Sequence, residues 1–170
     1  MRGKKFSLWS IGLSALFSMQ LVFAASIIVP MYLTDENGQG KNIGDIKIDP
    51  VRCGVLITPT LHDLTPGIHG FHIHEHATCA NKAMAAGGHL DPAKTEKHEG
   101  PYKKEGHLGD LPVLIVNEEG RATLPVLAPN LTLSKLKNHA LMIHEGGDNY
   151  ADHPEKLGGG GARIACGVIS

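Results

Sequence analysis

Eleven histidines in 170 residues are the first chemical feature of this chain. His69, His72, His74 and His76 fall within eight residues of one stretch that reads as a strand. Alternate side chains of an extended chain share a face, so His72 and His74 point the same way and can reach one ion, while Ile73 points into a core. A polar sheet face would look the same, so the pair needs a second group before it reads as a metal site. His89, His98 and His107 supply one: equal gaps of eight residues separate them, and Asp110 follows. Three imidazoles and a carboxylate make a closed tetrahedral shell of the kind that structural zinc adopts, with Asp110 adding a negative charge opposite the dication. The alternative is a set of solvated loop histidines, but Gly87-Gly88 and Gly100-Pro101 suit a loop folded tightly around something. His144 ends the apolar run Ala140-Leu141-Met142-Ile143 and can complete a redox site with His72 and His74. Copper(II) prefers a nearly planar set of four nitrogens, and the fourth has to come from the other cluster.

The elements that must position these groups are short. Runs rich in β-branched residues recur at Ile27–Leu33, Ile43–Ile48, Gly54–Thr58, Gly67–His74, Val113–Val116, Ala122–Val126, Ala140–His144 and Arg163–Ile169, which predicts eight strands. Glu36-Asn37-Gly38 and Glu118-Glu119-Gly120 read as hairpin turns, since Asn and Gly tolerate positive φ. Leu131–Lys137 has room for one helical turn. The pattern predicts an all-β fold, an eight-stranded antiparallel Greek-key flattened barrel or sandwich. Two gaps, from about Glu75 to Asp110 and from Glu145 to Ala162, are too long for idle loops. Their histidines, aspartates, one cysteine and the run Gly158–Gly161 mark them as functional loops held by metal.

Composition sets the compartment. Arg2, Lys4 and Lys5 precede an uncharged apolar run from Phe6 to Phe23, and Val22-Phe23-Ala24 offers groups that a signal peptidase reads, so residues 1–24 are expected to be an export signal cleaved after Ala24. The run is long for a signal, which keeps an uncleaved membrane anchor as the alternative; Ser14, Ser18 and Gln20 interrupt it and favour cleavage. The remaining 146 residues, 25–170, fit one domain. The signal removes three of 16 basic residues and none of 17 acidic ones, leaving a balance of −4 that argues against nucleic acid and anionic membrane as partners. Phe71, Tyr32, Tyr102 and Tyr150 are the only aromatics left, so Val, Ile and Leu must build the core. An exported chain keeps disulfides, and Cys53, Cys79 and Cys166 allow one bridge and one leftover thiol, with the pairing open.

The stretches GIHGFHIHEH at 67–76, GGHLDP at 87–92, KHEGP at 97–101, GHLGDLPVL at 106–114, MIHEGGDN at 142–149 and LGGGGARIACGVI at 157–169 resemble the copper/zinc superoxide dismutases, in their exported, periplasmic bacterial branch. The resemblance implies one copper and one zinc per subunit, with copper on His72, His74, His89 and His144 and zinc on His89, His98, His107 and Asp110. His89 is then shared and catalytic. Asp148 would link His72 to His98, His69 would orient a copper ligand, and Arg163 would attract and place the superoxide anion. Cys79 and Cys166 would form the disulfide, closing a loop for which chain-entropy reasoning gives roughly 4–5 kcal/mol. The implied reaction turns two superoxide anions and two protons into dioxygen and hydrogen peroxide and protects the cell envelope. An inactive copper and zinc carrier on the same scaffold is the alternative function, and a zinc hydrolase, which would need an open zinc position, is a third. An apolar barrel face serves a homodimer or an ordinary surface equally.

His62, His76 and His153 are expected to be surface imidazoles, although His76 extends the alternation of His72 and His74. Lys156 either helps draw the anion in or is an ordinary solvated lysine. Cys53 departs from the family pattern and is expected to stay a free, partly buried thiol; an intermolecular bridge is the minority reading. Asn130-Leu131-Thr132 matches a glycosylation acceptor by chance.

Overall fold

Alternating burial builds the frame. In β1 (Ile27–Asp35) Val29 and Met31 point inward, and in β3 (Gly54–Leu61) Val55, Ile57, Pro59 and Leu61 do the same. In β2 (Gly38–Val51) the inward residues are Ile43, Ile46 and Ile48, and the three-residue step between the first two needs an extra residue in the strand. Gly44 supplies it: the pairing with β1 shifts there, φ is +109°, and a Cβ would lie 2.1 Å from the Thr60 carbonyl oxygen. A glycine bulge is the local solution, because no side chain fits between the two strands. The description covers residues 26–170 of a computed structural model, so the export signal and its cleavage site lie outside the described residues.

The remaining strands are β4 (Gly67–His69), β5 (Phe71–His74), β6 (Leu114–Val116), β7 (Val126–Ala128), β8 (His139–His144) and β9 (Arg163–Ile169). All pairings are antiparallel, in a seven-stranded curled sheet of order β5-β8-β9-β1-β2-β3-β7 and a two-stranded ribbon of β4 and β6. The last strand returns to the first, with Tyr32 opposite Cys166. The core between the sheets is aliphatic, with Ile43, Ile46, Ile48, Ile57, Ile73 and Phe71 fully buried; each such side chain contributes about 1.5–3 kcal/mol by leaving water.

The expected all-β architecture is present, with two corrections. The run Gly67–His74 is two strands rather than one, which makes nine among the described residues. At Gly70 the chain passes from one sheet to the other: its N–H donates to Gly146 O (2.7 Å) and its carbonyl accepts from His144 N (2.9 Å), with His72 and His144 pressed against the space a side chain would need. The run Ala122–Val126 is not a strand over its length. Ala122 makes only an isolated bridge to Leu61, and regular pairing begins at Val126, because Pro125 has no N–H to give the ladder. Glu36-Asn37-Gly38 and Glu118-Glu119-Gly120 are turns, with Gly38 and Gly120 at positive φ. Leu133–Lys135 forms the single helical turn. Both long loops are free of strands and hold short 3-10 turns at Met84–Ala86 and Lys156–Gly159. Cys79 and Cys166 are bridged, with Cα atoms 5.9 Å apart and a sequence separation of 87, and Cys53 is free but exposed rather than partly buried, because it sits in the turn between β2 and β3 and not in a strand.

Candidate metal centre

β5 places the first histidines. Every residue of β5 is buried, Ile73 toward the aliphatic core and His72 and His74 toward the two long loops. One edge of β5 pairs with β8, which ends in His144. The other edge receives the first long loop: Ile73 N–H donates to Gly109 O (2.9 Å) and Leu90 N–H to Ile73 O (2.8 Å). That clasp sets Asp110 opposite His72 and His89 opposite His74, so backbone pairing brings both expected clusters together.

The donor atoms of His72, His74, His89 and His144 lie within 4.8 Å of one another, as do those of His72, His89, His98 and Asp110. His144 Nε2 is 3.4 Å from His74 Nε2, and the His72 ring stacks on His89 at 4.0 Å between centroids. His72 therefore sits in both geometric groups, whereas the sequence shares only His89. His72 Nε2 is bonded to Asp148 at 2.7 Å, which leaves Nδ1 alone for an ion, so it can serve only one. His107 completes the second group through Nδ1, 3.4 Å from the Asp110 carboxylate, while His89 Nδ1 and His98 Nδ1 lie 2.9 and 3.0 Å from it.

Further groups hold these rings. Asp148 accepts from His72 Nε2 and from His98 Nε2, both at 2.7 Å, joining the two clusters as expected. His69, on β4, places Nδ1 2.7 Å from the His144 carbonyl oxygen and Nε2 2.8 Å from that of Thr65, which fixes the end of β8. Arg163, opposite His144 on β9, donates to the carbonyl oxygens of Ala83 (2.5 Å) and Gly87 (2.6 Å), and Gly87 O also receives His74 Nδ1 at 3.0 Å. His74, His89, His144, Lys156 and Arg163 line a cavity of about 260 Å³ that opens to solvent past Met84 and Leu157. Tyr150 and Asp152 carry no sequence signal beyond lying in the second loop, yet both reach across to the first loop or its exit: the Tyr150 hydroxyl accepts from the N–H of Val113, just past Asp110 (2.9 Å), and Asp152 accepts from His98 N–H (2.9 Å). His62, His76 and His153 are exposed, as expected.

The electrostatics of the two groups differ. Burial, reinforced by neighbouring His89, pushes His72 down to about 3 despite Asp148. Burial takes His74 to about 2 and His144 to about 4, with Arg163 adding to both. His89 is lowered chiefly by burial, against the pull of Asp110. His98 goes the other way: burial opposes its charge, but the Asp110 and Asp148 carboxylates on either side of the ring outweigh it and raise it to about 9. Asp110 and Asp148 would be raised by burial alone, yet the surrounding imidazoles hold both well below the usual carboxylate range.

The donor set fits metal. His72 Nδ1 is buried without a hydrogen-bond partner, and His98 Nδ1 and His107 Nδ1 are buried with only the Asp110 carboxylate near them, at 3.0 and 3.4 Å and out of hydrogen-bond alignment, a loss of about 1–3 kcal/mol for each unless a cation meets it. Neutral imidazole is the ligand form, and burial keeps His72, His74 and His144 in it.

Comparison with known proteins agrees with this chemistry. A family model for copper/zinc superoxide dismutase matches residues 42–169. The chain is 52% identical to superoxide dismutase [Cu-Zn] 1 of Salmonella typhimurium over 174 aligned positions, 97% of this chain and 98% of that protein. Among solved structures, the Cu/Zn superoxide dismutase of Brucella abortus superposes with a TM-score of 0.82 at 47% identity, over 86% of this chain and all of that one. The monomeric enzyme of Salmonella enterica does so with a TM-score of 0.75 at 53% identity, again over 86% and 100%. The likeness in sequence and structure spans nearly the whole described chain, and the chain belongs to the copper/zinc superoxide dismutase family.

Proposed function

We propose that His72, His74, His89 and His144 hold the copper and that His89, His98, His107 and Asp110 hold the zinc, in an enzyme that disproportionates superoxide. The chain is a superoxide dismutase with one copper and one zinc per subunit; two superoxide anions and two protons become dioxygen and hydrogen peroxide. The observation that carries the assignment is the pair of buried donor groups meeting at His89, at the base of a cavity that also holds Arg163.

Bound copper supplies the one-electron couple Cu(II)/Cu(I), and bound zinc is redox-silent. The residues do the rest. His89 faces Asp110 with Nδ1, which leaves Nε2 for the copper group. With copper held there, Nε2 would be the atom that takes up one proton and hands it toward the peroxide, and the second proton would come from solvent. Arg163 has a guanidinium oriented by two carbonyls, and its charge draws the anion and holds it beside His144. Asp148 keeps His72 and His98 in the tautomers that present Nδ1 inward, and His69 fixes the backbone of His144. The carrier reading gains no support, since every copper donor and Arg163 are in place. Zinc hydrolysis would need an open position, and three histidines with Asp110 fill the shell.

The decisive test loads the mature protein and His144→Ala with both metals and measures metal content beside superoxide consumption. His144→Ala should lose copper, keep zinc and fall to the background rate; equal rates overturn the copper assignment. The reading also places the mature domain, residues 25–170, in the periplasm after removal of residues 1–24, supported by the charge and hydropathy pattern of that segment. Cell fractionation with mass determination of the N-terminus tests it, and a chain starting at Met1 in the cytoplasm would overturn it.

A further inference from the structure

Besides Asp148, a second carboxylate spans the two long loops. Asp152 Oδ2 accepts from the backbone N–H of His98 at 2.9 Å, and its Oδ1 accepts from the backbone N–H of Leu157 at 3.2 Å. His98 lies in the first loop beside the zinc donors, and Leu157 lies in the second, on the lip of the cavity next to Lys156. Leu157 has φ +54°, a left-handed conformation that a non-glycine residue keeps only where its surroundings over-determine it, and Gly158 follows at φ +72° without such a cost. The turn is pinned on its far side by Gly158 N–H to Ala151 O and Asn149 N–H to Gly158 O, both at 3.1 Å. It also presses on the metal groups: a Cβ on Gly158 would lie 2.0 Å from Asp148 Oδ1 and 2.7 Å from His98 Nε2.

The two carboxylates divide the work. Asp148 grips imidazole rings and, in the second loop, only the Tyr150 N–H. Asp152 grips no ring; it holds one main-chain N–H of each loop. We propose that Asp152 is a positioning residue through which zinc binding at His98 orders the cavity lip, setting Lys156 and Leu157 where the anion enters. With zinc bound, His98 is fixed, Asp152 is fixed on its amide, and the Leu157 turn inherits that order. Without zinc, Asp152 has no rigid anchor and the lip is free to leave its strained turn. The inference rests on reading His98 as a zinc ligand.

The test follows the Leu157 amide by hydrogen exchange in the full mature chain, copper-free, with and without zinc. In the parent, removing zinc should speed Leu157 exchange by at least about tenfold. In zinc-loaded Asp152→Ala the amide should already exchange fast, and zinc removal should change it no further. Asp152→Asn, which keeps size and one carbonyl acceptor, should fall between the two. Unaltered exchange at Leu141 in β8 reports an intact barrel in each variant. In the copper- and zinc-loaded protein, azide as an anion probe should bind Asp152→Asn about threefold more weakly or worse. Parental protection of Leu157 in Asp152→Ala, or parental azide affinity in Asp152→Asn, overturns the proposal. A His98→Ala chain that binds zinc with parental affinity instead sinks the zinc reading, whatever Asp152 does.

Discussion

The two donor groups are built in different ways. His72, His74 and His144 stand on β5 and β8, strands that pair with each other and pack on the aliphatic core, so folding the barrel places them. His89, His98, His107 and Asp110 stand on a loop with no strand of its own, held by the clasp on Ile73, the Cys79–Cys166 bridge and two carboxylates from the other loop. Their charges differ in the same sense. The strand-borne rings are buried neutral and ready for a cation, whereas His98 keeps a proton between Asp110 and Asp148. A preset group can bind its ion with little reorganisation; a conditional group is ordered by its ion and passes that order on.

Stripping zinc should give the most widespread effect. Metal that binds only the folded state at a thousandfold above its dissociation constant adds about 4 kcal/mol, and that stability should disappear with chelation. Amide protection should fall across residues 89–110 and 148–160 and hold on β5 and β8. Equal losses on the strands would break the comparison. Next comes Arg163→Glu, which removes no metal donor, although it gives up the hydrogen bonds to Ala83 and Gly87, and turns an attractive cavity repulsive; metal content measured beside the rate separates the two effects. The rate constant should fall by about 10- to 100-fold, and added salt, which slows the parent, should now speed the reaction. Stopped-flow rates over a range of ionic strength decide it, and an unchanged rate would place steering elsewhere.

Proton release sharpens the contrast further. Zinc needs neutral nitrogen, and His98 titrates at about 9, so loading zinc alone at pH 7.5 should release about one proton, with affinity falling about tenfold per unit as pH drops below 9. Loading the strand-borne histidines should release none from His72, His74 or His144, whose values of about 3, 2 and 4 leave them neutral. Calorimetry in two buffers of different ionisation enthalpy measures both numbers, and equal release would refute the distinction. The metal-free chain should show the same split in stability. The raised His98 contributes stability that is complete below about 6.5 and lost as pH rises through about 9. The lowered rings contribute stability that is complete above about 6.5 and lost as pH falls toward 4 and below.

The strand-borne half was the more legible in sequence. Alternation alone puts His72 and His74 on one face, and an apolar run ending in His144 puts that ring at a strand end. The loop-borne half was legible in its residue types and not in its geometry. Even spacing of His89, His98 and His107 does not say that Asp110 will pair opposite His72, because that depends on a backbone clasp between segments far apart in sequence. The Cys79–Cys166 pairing has the same character, resting on the family resemblance until the strands are assembled. Asp152 was invisible, since a carboxylate that binds two backbone N–H groups has no periodicity to betray it. The misplaced strand over Ala122–Val126 is different. Pro125 was there to be read as a break in the ladder.

Replacing the free Cys53 gives the smallest expected effect, and opening the disulfide is its counterpart on the loop-borne side. Cys53 sits in the turn between β2 and β3, exposed and free. It orders nothing, so Cys53→Ser should change stability by no more than about 0.5 kcal/mol and leave metal content and rate unaltered. Opening the Cys79–Cys166 bridge by Cys79→Ser with Cys166→Ser should remove several kcal/mol, roughly 4–5 by loop-closure entropy, and loosen the loop-borne donors first. Denaturant unfolding with zinc-release kinetics separates the two. If the bridge-free protein kept zinc as tightly as the parent, order in the first long loop would come from the Ile73 clasp and the zinc donors alone, and the loop would be far less conditional than its lack of strands implies.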